Sequence, residues 1–414
     1  MDNKLKSQLS FIDSLSNIEN EKPKQYVLRD YQKEAVKKGV DHLLSGKKPG
    51  VIIVPSGGGK SLIIANIAKS LKGHTLLLQP TKEILQQNYD KLMSYNINID
   101  VGIYSASFSK KDICTITFCT IGSVYKKPIL FQHFEYIIID ECHVVSNDKT
   151  MMYNKFITSL GNKPLIGLTA TPFRTAVNSY GFQYRFLTRQ NPRIFLEVIY
   201  FCQVDDLYKQ GFLATCKYYR VNNGFDSTLI RLNSNGTDFL DSSIKKYYDD
   251  VKFDNTLLDV VKRLVNVGRK SILVFTKFVE EAMTLSNDLG DISRIVTGTT
   301  PKEERDTINN KFRNGDIKII VNVGVYVVGV DFPELDTVVI GKPSRSLIFW
   351  YQAVCRGIRP FWSKQETWIV DLCDNLNTRF PPVTDLHLTK DDNGQWIYIN
   401  KVTKEQVTNI YLSK

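Results

Sequence analysis

The sequence predicts an α/β protein made of two doubly wound parallel sheets in tandem, and three observations predict it. Short unbroken apolar runs recur as VIIV at 51–54, TLLLQ at 75–79, ICTITFC at 113–119, YIIID at 136–140 and LIGLT at 165–169, the pattern of strands buried on both faces. Amphipathic stretches such as SLIIANIAKSL after Lys60 and KEILQQNYDKLM after Thr81 lie between them and supply the crossover helices that parallel strands require. The alternation lapses and then resumes with SILVF at 271–275, IKIIVNV at 317–323, DTVVIG at 336–341 and TWIVDL at 367–372. At 414 residues the chain is long enough for two such domains.

The same reading divides the chain into a polar extension over 1–25, a first domain over 26–190 and a connector over 191–255. A second domain follows over 256–375, and an appendage over 376–414. The connector is expected because polar, aromatic and basic residues mix there with Gly211, Gly224 and Gly236. Within the appendage, NGQWIYINKV at 393–402 reads as a hairpin strand after Asp391, Asp392 and Gly394. No repeat of solenoid or propeller length is present.

Hydrophobic residues at 43% and charged residues at 23% exclude a disordered, collagenous or coiled-coil chain. Lys and Arg number 54 against 43 Asp and Glu, a formal charge of +11, which points to a polyanionic partner, most simply nucleic acid. Seven cysteines form an odd set with no CxxC pair, so neither a disulfide framework nor structural zinc is expected. No run approaches the ~20 apolar residues of a membrane span. The expectation is a soluble cytoplasmic protein with no membrane partner.

One strand runs straight into Pro55-Ser56-Gly57-Gly58-Gly59-Lys60-Ser61 and then a helix. Successive glycines let backbone N–H groups turn inward around phosphate oxygens, and the helix N-terminus adds its dipole. Lys60 then reaches the β and γ phosphates and the Ser61 hydroxyl ligates Mg²⁺. The strict pattern asks for a glycine at 54, where this chain has Val54; Gly57 and Gly59 still supply the permissive backbone. A glycine-rich turn that binds nothing is the alternative.

The strand YIIID ends in Asp140-Glu141-Cys142-His143, two acids at the carboxyl edge where open α/β sheets bind ligands. Asp140 is expected to hold the Mg²⁺ and Glu141 to orient and deprotonate the attacking water. An acidic turn capping the next helix is the alternative. His143 is either a structural hydrogen-bonder or a coupling residue beside Glu141.

Taken with Leu168-Thr169-Ala170-Thr171-Pro172 and Gln352-Ala353-Val354-Cys355-Arg356-Gly357-Ile358-Arg359, these segments resemble the ordered motifs of a superfamily 2 DNA helicase of the DEAH/DExH type. The likeness is to RadD-like DNA repair helicases and, more loosely, to UvsW-like phage branch-migration helicases. It covers roughly residues 26–375. It implies two RecA-like domains with a cleft between them, ATP and Mg²⁺ as cofactors, and forked or branched DNA as partner in recombination, repair or replication. Recombination or single-strand-binding proteins are further implied partners, and the implied compartment is a bacterial or phage-infected cytoplasm.

By the same resemblance Arg29 and Gln32, in Leu28-Arg29-Asp30-Tyr31-Gln32, are implied ATP contacts, and Gly329 and Asp331 join the nucleotide and strand sites. Arg356 and Arg359 are implied arginine fingers; one helical turn separates them, so both can face one γ-phosphate. Gln352 would help orient the water. Pro80, Thr81, Lys82, Thr120 and Ser123 in the first domain, with Thr276 and Thr297 in the second, match segments that grip the strand backbone. Such contacts need no base identity. The family usually has Gly at Cys355 and a Ser or Thr near Val327 or Val328, and the cysteine-rich tail of RadD-like relatives has no counterpart.

After Pro172, Phe173, Arg174, Tyr180, Phe182, Tyr184, Arg185 and Arg189 suit either a DNA-contacting loop with stacking rings or a connector whose aromatics pack on the sheet. Only 20 residues separate Asp331 from Gln352, too few for a long strand-separating hairpin. Three rivals stand beside the DNA helicase: an RNA helicase, a duplex translocase that separates no strands, and a binding module whose nucleotide site is only a switch.

Overall fold

The computed structural model describes residues 26–412 apart from 96, 97, 147, 149, 328–331, 362 and 363. Gly329 and Asp331 therefore lie outside the described residues. Two RecA-like α/β domains are present, each built on its own parallel sheet.

The first sheet has eight strands. They are β1 (Gly50–Ile53), β2 (Thr75–Gln79), β3 (Val101–Ser105), β4 (Lys110–Lys111), β5 (Ile116–Thr120), β6 (Tyr136–Asp140), β7 (Leu165–Thr169) and, after the hairpin β8 (Phe173–Asn178) and β9 (Gly181–Phe186), β10 (Glu197–Phe201). Their spatial order is β10-β1-β7-β6-β2-β5-β3-β4, and all pairs are parallel except the short β3–β4 rim. Every residue of β1, β2, β5 and β7 is buried, as continuous apolar runs demand. Helices Asp30–Leu44, Lys60–Ser70 and Lys82–Met93 cover one face.

The second sheet runs β11 (Thr215–Arg220), β16 (Glu366–Asp371), β15 (Thr337–Gly341), β12 (Ile272–Thr276), β14 (Ile319–Asn322), β13 (Ser293–Val296), all parallel. The hairpin β17 (Leu386–Lys390) and β18 (Trp396–Asn400) turns at Asp391–Gln395, and residues Asp391, Asp392 and Gly394 lie in that turn. The cleft lies at the carboxyl edge of the first sheet, where Ser56, Gly57, Gly59, Lys60 and Ser61 after β1 and Asp140 at the end of β6 face Pro333, Arg356, Arg359 and Pro360 from the segments that precede β15 and β16.

The stretch read from sequence as a connector does more than connect. Its Glu197–Phe201 segment pairs with β1 from Gly50 to Ile53, and its Thr215–Arg220 segment pairs with β16 along its whole length. Edge strands alternate in exposure, and β11 reads exposed and half-buried in turn, so no continuous apolar run announced it. The aromatics after Pro172 also resolve: Phe173, Phe182 and Tyr184 are core residues, packed on one another and on Tyr398, while Tyr180 stays exposed at the turn beside Tyr411.

Candidate nucleotide cleft and nucleic-acid face

Gly57 and Gly59 both adopt positive φ, 82° and 81°, a region L side chains rarely enter. The loop is braced from behind. The Tyr31 hydroxyl donates to the Gly58 carbonyl at 2.7 Å and the Gln32 amide donates to the same oxygen at 3.0 Å, while Gln32 Oε1 accepts from the Arg29 N–H at 2.9 Å. Gln32 is only 3% exposed and its amide is spent on the protein. This corrects the expected ATP contact through Gln32: the side chain holds the loop's shape from outside the cleft. Arg29 does line the cleft, its guanidinium lying 4.0 Å over the ring of Phe212.

Across the loop, Lys60 Nζ lies 3.3 Å from Glu141 Oε1. Glu141 follows β6 with φ of 47°, a left-handed conformation for a residue with a side chain, of the kind found where a site holds its backbone strained. Its other oxygen is 3.3 Å from His143 Nδ1. That ring nitrogen also sits 2.9 Å from Thr169 Oγ1 and 3.2 Å from Thr171 Oγ1, so Glu141 is tied through His143 to the end of β7. The chain adds one more link there, since Arg174 Nη1 donates to the His143 carbonyl at 2.6 Å.

Burial and the charge of Glu141 push the Asp140 carboxyl up. At Glu141 burial pushes the same way but is outweighed by Lys60 and His143, which hold its carboxyl down. Asp140 accepts from Asn88 at 2.7 Å and from the Glu141 N–H at 2.8 Å. A carboxylate whose ionised form is penalised by burial and by a neighbouring anion is stabilised by a cation, and Ser61 opens on the same cleft. Among the described residues no cluster of three or more acids, histidines or cysteines gathers around a metal position. One carboxylate and one hydroxyl fit Mg²⁺, which keeps several waters and takes its remaining ligands from phosphate.

The second domain closes the cleft. Pro333, Arg356, Arg359 and Pro360 line it together with Ser56, Gly57, Gly59, Lys60, Ser61, Asp140 and Glu141, around a volume of about 480 Å³. A methyl group built on Gly57 would stand 3.8 Å from Arg359 Cγ, so the arginine stem passes directly over the loop. Arg356 donates through Nε and Nη2 to the Val327 carbonyl at 3.1 and 2.6 Å. Gln352 is buried on the helix Leu347–Val354 and is absent from the lining, so the expected water-orienting role is not what its position offers. The helix presents its cleft residues only after Val354.

The strand-facing candidates divide. Pro80, Thr81 and Lys82 follow β2, and Thr120 ends and Ser123 follows β5, its parallel neighbour, so the five share one sheet edge. Thr81 caps the helix Lys82–Met93, and Thr120, Ser123 and Ser105 form a hydroxyl chain with 2.9 Å links. Lys82 packs on Phe108 at 4.5 Å. In the second domain Thr297 sits in a turn with Thr299 and Thr300. Thr276 is 1% exposed, which removes it as a strand contact: it ends a fully buried central strand. Arg174, expected as a DNA contact, is half-buried with Nη1 donating to the His143 carbonyl. Sequence reading missed Asn88, Phe212 and Leu213. The last two pack against Arg29 and Gly57 from the segment between β10 and β11, and no motif marks them.

Two family models match in the order the cleft requires: Type III restriction enzyme, res subunit, over residues 25–174, and Helicase conserved C-terminal domain over residues 256–360. The chain belongs to the superfamily 2 helicases. The putative ATP-dependent helicase IRC3 of Saccharomyces cerevisiae is 24% identical over 367 residues, 83% of this chain and 51% of the relative. The DNA 3'-5' translocase XPB2 of Sulfurisphaera tokodaii is 26% identical over 355 residues, 76% of this chain and 74% of the relative. A fragment of a putative HsdR subunit of a type I restriction enzyme from Vibrio vulnificus YJ016 superposes with a TM-score of 0.64 at 20% identity, covering 90% of this chain and 70% of that one. This superfamily 2 chain spans about half the length of the yeast relative. No helix of the described residues is long and apolar enough to cross a membrane.

Proposed function

We propose that the protein is an ATP-dependent DNA helicase or translocase, hydrolysing ATP between its two domains and using closure and reopening of the cleft to move along DNA. The observation that carries this reading is the shared lining of one cleft by Lys60, Glu141, Arg356 and Arg359. In it Lys60 and the loop N–H groups bind the phosphates, Glu141 takes the proton of the attacking water, and Arg356 and Arg359 balance charge spreading over the transferred phosphoryl group. Asp140 and Ser61 would hold Mg²⁺, which neutralises phosphate charge when bound.

The +11 charge and the donors of Thr81, Lys82, Thr120, Ser123 and Thr297 suit a phosphate backbone, and relatives named as an ATP-dependent helicase and a DNA translocase favour DNA. The work we assign is on forked or branched DNA in repair or recombination, as for RadD-like and UvsW-like enzymes, in the cytoplasm of a bacterium or an infected host. The name of the archaeal relative equally favours a translocase that separates no strands as the second reading. The test is phosphate release and labelled-strand release across single strands, forks, four-way junctions, plain duplex and RNA. Fork-stimulated hydrolysis with strand release supports the helicase; hydrolysis on duplex with no strand released supports the translocase. Best stimulation by RNA, or no hydrolysis with saturating DNA, overturns both.

A further inference from the structure

On the far side of the first domain from the nucleotide cleft lining, a second groove of about 720 Å³ opens between residues 188–198 and the hairpin β17–β18. Arg189, Arg193 and Lys390 line it with Gln395 and Trp396, against a single acid, Glu197. Arg193 is exposed and makes no hydrogen bond or ion pair with the described residues. Lys390 forms no ion pair among the described residues; its ammonium lies 5.0 Å from the Trp396 ring centroid. Arg189 has a partner, Asp391, at 3.6 Å. The indole packs edge-on against Phe201 at 4.9 Å, while the rest of it stays only half-buried at the groove wall.

The platform is firmly held. Leu388 of β17 exchanges two hydrogen bonds with the Gln203 side chain, at 2.7 and 3.0 Å, and Asn409 donates to the Trp396 carbonyl at 3.1 Å. A half-exposed indole on a fixed strand, with Arg193 and Lys390 outside any ion pair among the described residues, combines the two elements that hold unpaired nucleic acid: a stacking face and charges that follow the backbone. A free phosphate would leave most of this volume unused, and a duplex offers no base face to the indole.

We propose that this groove binds a single-stranded segment of nucleic acid, separate from the strand contacts at the domain edges. It rests on the reading of nucleic acid as the partner, but its test needs no ATP. Anisotropy of labelled oligodeoxythymidine, short and long, of plain duplex, and competition by inorganic phosphate are measured across salt for the full chain. The expected result is that Arg193→Glu with Lys390→Glu weakens the long single strand tenfold or more and flattens its log–log salt slope by roughly 1.4, two contacts at about 0.7 each. Trp396→Ala weakens it about tenfold, and Trp396→Phe, which keeps a ring, retains most affinity but loses the fluorescence quench on binding. Short-oligonucleotide affinity stays at its wild-type value. Unchanged long-strand affinity and slope in the charge-reversed protein overturns the proposal, as does an equal loss on duplex. Lack of DNA-stimulated hydrolysis in the wild type would count against the proposed function alone, because the binding difference is read without nucleotide.

Discussion

Lys60 Nζ stands 3.3 Å from Glu141 Oε1, with both side chains largely buried. The cation meant for phosphate and the acid meant for water are thus paired across the loop in the protein itself. In the function we propose, a bound nucleotide draws Lys60 toward its phosphates and so releases Glu141 to accept a proton when substrate is in place.

Removing either partner therefore has two separable effects. Lys60→Ala and Glu141→Gln should each lower DNA-stimulated phosphate release at least 100-fold. Lys60→Ala should also destabilise the fold by about 3 kcal/mol, because it strands a buried carboxylate. Adding Glu141→Gln to Lys60→Ala should restore most of the lost melting temperature and none of the activity. A calorimetric and kinetic double-mutant cycle checks this, and additive losses of stability would contradict it.

Gly59 leaves no room for change. Its φ of 81° and a built methyl only 2.4 Å from Gln32 Nε2 mean that Gly59→Ala must distort the loop or expel the brace. Titration calorimetry should find ATP binding lost while the melting temperature stays within a few degrees of wild type. Gln32→Ala should weaken ATP binding by the same route, with the loop losing the amide bond to Gly58.

Arg174 discriminates two accounts of the segment after Pro172. Its bond to the His143 carbonyl predicts that Arg174→Ala lowers DNA-stimulated turnover about tenfold with DNA affinity and its salt slope unchanged. A strand contact would instead reduce the salt slope. Filter binding across salt, alongside turnover, separates them.

Glu281 gives a pH signature away from the cleft. Burial pushes its carboxyl up to about 8, above its unfolded value, although Lys277 and Phe278 N–H groups donate to it. A raised acid stabilises the fold while protonated, so its contribution is full below the unfolded value and is lost as pH rises through about 8. Melting temperatures should fall over that window, and Glu281→Gln should flatten the fall; an identical profile in the variant would show that another group governs it.

The sheets were legible because central strands buried on both faces write themselves as continuous apolar runs, as at Ile137–Ile139 and Val338–Ile340. The phosphate loop was legible because its chemistry is local: glycines, Lys60 and Ser61 are consecutive. What the sequence hid depends on packing between distant segments. Gln32 looked like a ligand contact, yet its amide reaches a loop 26 residues away. Asn88 carries no motif, but 52 residues separate it from the carboxylate it serves. The edge strand β11 lacks an unbroken apolar run since one side of it is open, and Thr276 looked like a strand contact until its strand proved central.

The central claim is that one nucleotide is held by Lys60 from the first domain and Arg359 from the second. The structure of the protein with a non-hydrolysable triphosphate tests it most directly. We predict a γ-phosphate within hydrogen-bonding reach of both Lys60 Nζ and the Arg359 guanidinium. A nucleotide bound by the first domain alone, with Arg356 and Arg359 both directed away from it, would contradict the account.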